Sequence, residues 1–360
     1  MGWKINHKAL HFIYQNKWSA FSLFYILIWA FLALFAYVIA PDNTQNANWG
    51  DLNIASQRPG FQVKMLEIPY PHRSSLKEYF FGTEHIPEKY PIRSFSIQQD
   101  SLFVELFHLN PKIVVEKKFP LNLWEKSSKE TVSTSINNQT FWLGTDKAGR
   151  DYLSRILVGA RISLSIGLVA VFISLVLGIF LGALAGYYGG WVDQLILWLI
   201  QVVWSIPTLL MVIAITLSLG KGFWQVFIAV GLTMWVEVAR VVRGQILSVK
   251  KMPYITAAKA LGFKDTRILI YHILPNIIGP IVVIAAANFA SAILVESGLS
   301  FLGLGAQPPT PSWGSMIKDY YGDMILGRPY LALIPGMAIM TIVLAFMMVG
   351  NGIRDYFDVK

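Results

Sequence analysis

The chain has no cysteine among its 360 residues. Without thiols it can have no disulfide framework, no cysteine nucleophile and no zinc or iron–sulfur site held by cysteines. Charged residues are also scarce, at 14% of the sequence, whereas a soluble domain usually has about a quarter. Much of the protein surface must therefore face something other than water.

The sequence motifs of common catalytic sites are missing as well. There is no G-x-x-x-x-G-K-[ST] phosphate loop, because the Gly-Lys pair at Gly220 and Lys221 is followed by glycine. Neither a G-x-S-x-G nucleophile elbow nor an H-E-x-x-H zinc helix occurs. His7 and His11 are one helical turn apart, but no third metal ligand lies near them. We therefore expect a non-catalytic chain that binds no metal or cofactor itself.

Long apolar runs are the main feature that the sequence does have. Hydrophobic residues make up 54% of the chain, and several runs approach the roughly 20 residues that a helix needs to cross a bilayer. They predict an all-α polytopic membrane protein with six transmembrane helices. These lie near residues 18–40, 162–186, 192–219, 223–242, 274–295 and 330–349.

The first apolar run is too long for the core of a signal peptide, which has roughly 7–15 apolar residues. We interpret it as a retained anchor that follows Lys4, Lys8 and Lys17. The alternative is cleavage after residues 38–40, where Val-Ile-Ala resembles a cleavage site.

The distribution of basic residues predicts the orientation of the spans. Residues 41–150 hold thirteen Lys or Arg and twelve Asp or Glu, so nearly all of the net charge of +9 lies beside the apolar runs. The connection between the fourth and fifth spans is the most basic, with Arg240, Arg243, Lys250, Lys251, Lys259, Lys264 and Arg267. Because cytoplasmic loops collect Lys and Arg, this loop and both termini are predicted to be cytoplasmic. The pattern does not predict nucleic-acid binding.

The long segment after the first span has a different character. With the start of the next span, it contains eight of the seventeen prolines, and residues 101–106 and 112–116 are typical of short strands. A loop of this length is too long to be structureless in a compact protein. We predict that residues 41–140 form a small mixed α/β insertion outside the cytoplasm.

The connection between the fourth and fifth spans carries the most informative motif. Residues 254–262 predict a short helix with small side chains at Ala257 and Ala258, ended by a break at Gly262. A second helix then runs through Pro275 into the fifth span. Small side chains allow close approach of another surface, so docking on a soluble partner is one interpretation. An ordinary amphipathic connector is the other.

This motif resembles the EAA loop of binding-protein-dependent ABC importers, the element that docks on the ATPase subunits. Further stretches resemble the C-type permease subunit of dipeptide and oligopeptide importers, most specifically the Phe-Leu-Gly-Leu-Gly-Ala-Gln-Pro-Pro run at 301–309. The others are at 143–155, 159–164, 186–193, 310–314 and 352–355. The resemblance covers the N-terminal span weakly and residues 141–358 strongly.

The resemblance implies an ABC importer permease of the bacterial inner membrane. Its expected partners are a second homologous permease, two cytoplasmic ATPase subunits that carry ATP and Mg, and an extracytoplasmic solute-binding protein. It divides the chain into a cytoplasmic N-terminus and first span (1–40), the insertion (41–140) and the permease domain (141–360) with a coupling loop at 246–272. Thr256, Ala257, Ala258, Gly262 and Pro275 map onto that loop. Thr256 stands where the family usually has glutamate.

Two further functions compete with peptide import. The same type of importer could carry nickel or another non-peptide solute. An ion-driven secondary transporter is the rival of a different class, and it should show repeated halves and intramembrane charges. The sequence shows neither of these features.

Four residues in or near the spans are candidates for lining the pathway. Pro207 interrupts the third span, and Asn288, Ser291 and Glu296 are polar residues in or near the fifth. Polar groups in a membrane tend to face a bundle interior or a water-filled route. The competing interpretations are a static packing kink at Pro207 and helix–helix hydrogen bonds for the other three.

Charged residues near the span ends have simpler interpretations. Glu237, Arg240 and Arg243 lie at helical spacing at a membrane edge, and they are predicted to form surface ion pairs with one another. Contact with the substrate is the alternative. Basic residues at the start of the second span are predicted to be interfacial anchors. They are Arg150, Arg155 and Arg161.

Overall fold

The computed structural model describes residues 16–70, 75–98, 100–110, 112–124, 129–220 and 223–358. The histidine pair His7 and His11, and the basic residues Lys4 and Lys8, lie outside these ranges. Tertiary contacts divide the chain into two compact units. The helical unit comprises the chain up to Ala30, Ile162–Pro308 and Ser312–Lys360, and the sheet unit comprises Phe31–Arg161 and Pro309–Pro311.

Helices account for most of the described chain. In order they are α1 (Lys17–Leu34), α2 (Ala36–Ile39), α3 (Leu76–Phe81), α4 (Lys129–Thr134), α5 (Tyr152–Tyr188), α6 (Gly190–Trp204), α7 (Thr208–Leu219), α8 (Phe223–Val249), α9 (Pro253–Ala260), α10 (Asp265–Ile268), α11 (Ile278–Phe301), α12 (Trp313–Tyr320) and α13 (Tyr330–Asp358). A π-turn and a 3-10 turn at Leu269–Ile277 join α10 to α11.

The membrane-spanning character of the fold is confirmed. In the described ranges, five helical stretches are long and apolar enough to cross a bilayer: Lys17–Leu34, Tyr152–Tyr188, Trp224–Val249, Asp265–Phe301 and Tyr330–Tyr356. The stretch around α5 begins ten residues earlier than predicted. The number of spans is five, or six if α6 and α7 together form one.

The predicted third span is bent sharply. α6 and α7 meet at 90° across residues 205–207. Pro207 has no N–H to donate to a preceding carbonyl, so the helix cannot continue through it without losing a hydrogen bond. The kink predicted at Pro207 is therefore confirmed, but it is a full break between two helices.

Helices α5 and α8 pack with their backbones nearly in contact. A Cβ added at Gly178 would lie 2.7 Å from the carbonyl oxygen of Trp235, and one at Gly182 would lie 2.5 Å from that of Ala239. Gly186 continues the same row one turn later. Small residues at every fourth position allow such close helix packing in membranes.

The predicted strand-containing insertion is present in the sheet unit. Five antiparallel strands have the order β4-β3-β2-β1-β5. They are β1 (Phe61–Glu67), β2 (Lys89–Gln98), β3 (Ser101–Leu106), β4 (Glu116–Pro120) and β5 (Ile136–Phe141). Leu66, Leu102 and Trp124 are fully buried in a core on this sheet.

One predicted strand is confirmed and the other is wrong. The prediction at 101–106 coincides with β3, whereas β4 begins only at Glu116. The N–H of Ile113 bonds to the Asn110 carbonyl, and the N–H of Lys112 bonds to the Asn110 side chain. These turn hydrogen bonds use the donors that a strand at 112–116 would need.

A buried polar network holds the start of α5 in the sheet unit. Asp146 accepts a hydrogen bond from Arg150 at 2.7 Å, and Arg155, only 3% exposed, lies 3.9 Å from the same carboxylate. Arg150 and Arg155 therefore bind a protein carboxylate, and the prediction that they are interfacial anchors is wrong for these two residues. Burial raises the pKa of the nearby carboxyl groups of Asp42 and Asp151 above its ordinary value.

We expect Gly182→Leu to destabilise the helical unit strongly, because the new side chain would collide with the backbone of α8. Gly244→Ala is the matched control, since a Cβ at Gly244 on α8 meets nothing within 4 Å. Thermal unfolding in detergent should show a large fall in the midpoint for Gly182→Leu only. Equal stability of the two variants would contradict the close packing.

Candidate functional site

One exposed face of α9 carries apolar and aromatic side chains. Pro253 occupies the first turn, where its missing N–H costs no helical hydrogen bond. Tyr254, Ala257 and Leu261, the residue that caps the helix, lie on one helical face. All three are exposed, with Leu261 at 73%. Tyr254 and Leu261 are surface residues that the sequence analysis did not single out, although their spacing with Ala257 could have revealed them.

The opposite face of α9 is part of the protein core. Ala258 is only 7% exposed and Ile255 is fully buried, both in a cluster with residues from α5, α8 and α10. The two alanines of the predicted coupling loop therefore have different environments. Ala257 and Thr256 are presented outward, whereas Ala258 packs inward, contrary to the shared outward face that we expected.

Gly262 ends α9 in a left-handed conformation. Its φ is +76°, and its N–H bonds to the Lys259 carbonyl at 2.9 Å. The N–H of Phe263 bonds to the Ala258 carbonyl at 3.2 Å. These two bonds form a Schellman motif, which places glycine at the position with positive φ. The glycine is needed for the backbone, since there is open space around its Cα.

The chain then returns to the membrane through an irregular helix. α10 begins at Asp265, and its continuation widens into a π-turn at Leu269–Ile273 before tightening into a 3-10 turn that contains Pro275. Pro275 has no N–H, so it interrupts the regular helical ladder at this point. Arg267 lies over the ring of Phe263, 4.6 Å from its centroid.

Tyr187, at the end of α5, is the centre of the contacts that hold this segment. Its hydroxyl donates to a carboxylate oxygen of Asp265 at 2.5 Å. The ammonium of Lys250 donates to the Tyr187 carbonyl, and Lys250 and Lys259 lie 5.3 and 5.4 Å from the ring centroid. Tyr187 therefore connects α5 to both ends of the α9 segment. Tyr187 lies in the 186–193 stretch that carries the family resemblance, but the motif alone assigns it no role.

The ion pairs near the segment differ from the predicted ones. Arg243 on α8 forms a bidentate ion pair with the carboxylate of Asp193 on α6, with one N···O distance of 2.7 Å. Arg240 instead stacks over the ring of Trp204, 4.5 Å from its centroid. The prediction that Glu237, Arg240 and Arg243 pair with one another is therefore wrong. The partners of Arg240 and Arg243 both lie on α6, far away in the sequence.

Two of the predicted pathway residues are buried inside the helical unit. The Asn288 side chain donates to the Met234 carbonyl at 3.4 Å and has no exposed surface. Glu296 is also fully buried and accepts a hydrogen bond from Ser300 at 2.6 Å. Within the described ranges no basic side chain forms an ion pair with Glu296.

The other two predicted pathway residues are on the surface of the unit. Ser291 on α11 and Pro207 between α6 and α7 are both exposed. The structure therefore does not bring the four predicted residues together into one site. In the described part of the chain, no group of three or more His, Asp or Glu side chains could hold a metal ion.

The geometry identifies one surface with a defined shape. The inner side of residues 253–273 is fixed to α5 and α8 by the apolar cluster and Tyr187, and its outer side presents Tyr254, Ala257 and Leu261. A displacement applied to the outer side would move the ends of α5 and α8 with it, because the intervening side chains are close-packed.

Comparisons with known proteins agree with this architecture. A family profile described as "Binding-protein-dependent transport system inner membrane component" matches residues 178–360. The chain is 43% identical over 219 residues to the glutathione transport system permease protein GsiD of Pectobacterium atrosepticum. It is 44% identical over 219 residues to the dipeptide transport system permease protein DppC of Alkalihalophilus pseudofirmus. Each alignment covers 61% of this chain and 72% of the relative.

Solved structures give a more distant match. A chain of the inward-facing MetNI methionine ABC transporter aligns with a TM-score of 0.46 and 17% identity, over 57% of this chain and 96% of that chain. An amino acid ABC transporter determined with histidines aligns with a TM-score of 0.41 and 17% identity, over 54% and 91% of the two chains. From the family match and the two permease relatives, the chain belongs to the binding-protein-dependent transport system inner membrane components and is a multi-pass permease subunit of an ABC importer.

Proposed function

We propose that this permease imports small peptides, forming the translocation pathway together with a second, related permease chain. The observation that supports the peptide class is the identity of 43–44% to permeases named for glutathione and dipeptide transport. Glutathione and dipeptides share peptide bonds and charged termini, so they define one chemical class of solute.

The energy for transport would come from ATP hydrolysis on a pair of cytoplasmic ATPase subunits that carry ATP and Mg. An extracytoplasmic binding protein would deliver the solute to the opposite side. The basic residues between α8 and α11 support a cytoplasmic position for this connection, and hence for both termini. Successive spans run in opposite directions across the bilayer. If α6 and α7 together form one span, the segment between α1 and α5, which contains the sheet, is extracytoplasmic.

The proposed coupling element is the segment at 246–272. Its exposed face of Tyr254, Ala257 and Leu261 would contact the ATPase, and Thr256 is exposed beside it. Thr256 carries no charge, so contact at this position would depend on packing and hydrogen bonding and not on an ion pair. Tyr187 and the buried cluster would pass the movement to α5 and α8. This arrangement makes Tyr187 a positioning residue for the coupling segment.

Peptide import should be measurable when the chain is coexpressed with a partner permease, the two ATPases and a binding protein. In cells that lack other peptide importers, we expect ATP-dependent uptake of a labelled dipeptide that unlabelled peptide suppresses and Ni²⁺ does not. Uptake of nickel alone would refute the peptide class. Uptake by this chain without ATPases, driven by an ion gradient, would refute the importer mechanism for this permease.

The orientation can be tested by single cysteines introduced into this cysteine-free chain. Residues Asn137 in β5 and Lys318 in α12, both exposed, should react with a membrane-impermeant thiol reagent on intact spheroplasts when changed to cysteine, whereas Lys259 in α9 should not. Permeabilised cells provide the control, because all three positions should then react. Labelling of Lys259→Cys from outside would contradict the proposed topology.

The coupling role predicts a specific loss on changing Tyr187. Tyr187→Phe keeps the ring but removes the hydrogen bond to Asp265. Because a hydrogen bond to a charged group contributes about 1.5–3 kcal/mol, we expect uptake and peptide-stimulated ATP hydrolysis to fall severalfold while protein abundance stays normal. Tyr188→Phe is the matched control, because Tyr188 is exposed and its hydroxyl has no hydrogen bond in the described residues.

The same measurements on Gly262 separate backbone conformation from side-chain size. Gly262→Val should lower uptake by about tenfold, because a non-glycine residue in the left-handed region costs roughly 1–2 kcal/mol and the β-branch adds to it. Gly262→Asn should retain most of the uptake, since asparagine tolerates positive φ at helix ends. Normal uptake by both Tyr187→Phe and Gly262→Val would show that this segment does not couple ATP hydrolysis to transport.

A further inference from the structure

The short helix α3 exposes its apolar side chains, whereas a helix on the surface of a soluble domain buries them. Leu76, Tyr79 and Phe80 follow the i, i+3, i+4 spacing, which places them on one face within about 100°. All three are exposed, with 82%, 49% and 44% of their surfaces accessible. Glu78 lies on the opposite side of the helix and is less exposed than they are. A helix in contact with water would normally show the reverse pattern.

This helix lies beside the end of the first span. Gly82, which follows α3 with a φ of +77°, is so close to α2 that an added Cβ would lie 2.8 Å from the ring of Tyr37. Arg161 of α5 joins the two, with its guanidinium 5.5 Å from the Tyr37 ring centroid and 5.4 Å from that of Phe81. Arg161 also donates a hydrogen bond to the Phe80 carbonyl. The position of α3 is therefore fixed against two membrane helices.

The sequence of those two helices places this contact near the edge of the hydrocarbon. α1 has 18 residues, which is about 27 Å of helix, and Tyr37, in α2, lies three residues after its end at Leu34. In α5, residues 162–186 carry no charge, and Arg161 is the last charged residue before them. Tyr37 and Arg161 therefore lie at the ends of two different spans, and arginine and tyrosine in such positions are typical of the membrane–water interface.

The neighbouring helix α2 also carries exposed apolar side chains. Val38 and Ile39 of α2 are exposed at 54% and 42%, and they extend the apolar surface of the first span to the level of Tyr37. The nearby Lys77 has Glu84 at 3.9 Å, so α3 offers no excess of positive charge. A surface of this kind interacts through burial of aromatic and aliphatic side chains and not through attraction to anionic headgroups.

We propose that α3 is an interfacial membrane helix, with Leu76, Tyr79 and Phe80 inserted between the phospholipid headgroups and the upper acyl chains. The insertion would then be attached to the membrane at a third place besides α2 and α5. Because the face carries no net positive charge, zwitterionic lipid is sufficient for the contact.

The absence of cysteine allows the contact to be measured directly. Leu76→Cys and Phe80→Cys, each labelled with an environment-sensitive fluorophore, would be reconstituted as the full chain in phosphatidylcholine vesicles. Ser96→Cys is the matched control, because Ser96 is also exposed but lies far from α3. Lys89, at the start of β2, lines a cavity with Tyr37 and Tyr79. Ser96 is seven residues further along the same strand, which is about 23 Å. Circular dichroism and retention in the membrane would verify that each variant is folded.

The expected result is a blue-shifted emission at positions 76 and 80, with roughly half of the fluorescence lost when part of the lipid carries a nitroxide near the headgroup, because an interfacial helix lies within reach of that quencher. The label at position 96 should show neither effect. Replacing a third of the lipid by phosphatidylglycerol should leave the result unchanged. Labels at 76 and 80 that behave like the label at 96 would overturn the proposal. Shielding that occurs only after a binding protein is added would show that this face docks a protein and not lipid.

Discussion

A peptide group inside a bilayer finds no water to replace a missing hydrogen bond, and the arrangement of this chain depends on that constraint. Each apolar segment satisfies its own backbone as a helix. The stretches that cannot do so are the antiparallel sheet and its turns, and they are collected in a separate unit. The break at Pro207 is the point where an apolar segment departs from this pattern, and there the helix turns by 90°.

Close packing gives the helical unit its rigidity in the absence of a strong hydrophobic force between helices. Gly178 and Gly182 bring the backbone of α5 against that of α8. The same two helices carry the cluster that holds Ile255 and Ala258. The segment outside the membrane is therefore not a loose loop, because its inner face belongs to the same core as the spans.

This packing suits the proposed coupling role of the segment, which contains no catalytic groups. If ATP is hydrolysed on separate subunits, as proposed, the permease needs only a defined outer surface and a firm connection to its helices. Tyr187 contributes to that connection through Asp265 and the two lysines above its ring. Gly262 contributes through the shape of the turn that ends α9.

The sequence by itself determined the membrane class, the places of the apolar helices, the permease family and the glycine turn at 262, since each depends on local composition or on a contiguous motif. Only the tertiary structure decided which side chains meet. It separated Ala257 from Ala258, because one helical step carries a side chain from the surface to the core. It paired Arg243 with Asp193, 50 residues away, in place of a neighbour on its own helix. It also left the apolar face of α3 exposed, which the sequence could not decide, because a periodic pattern defines a face of a helix but not what that face contacts.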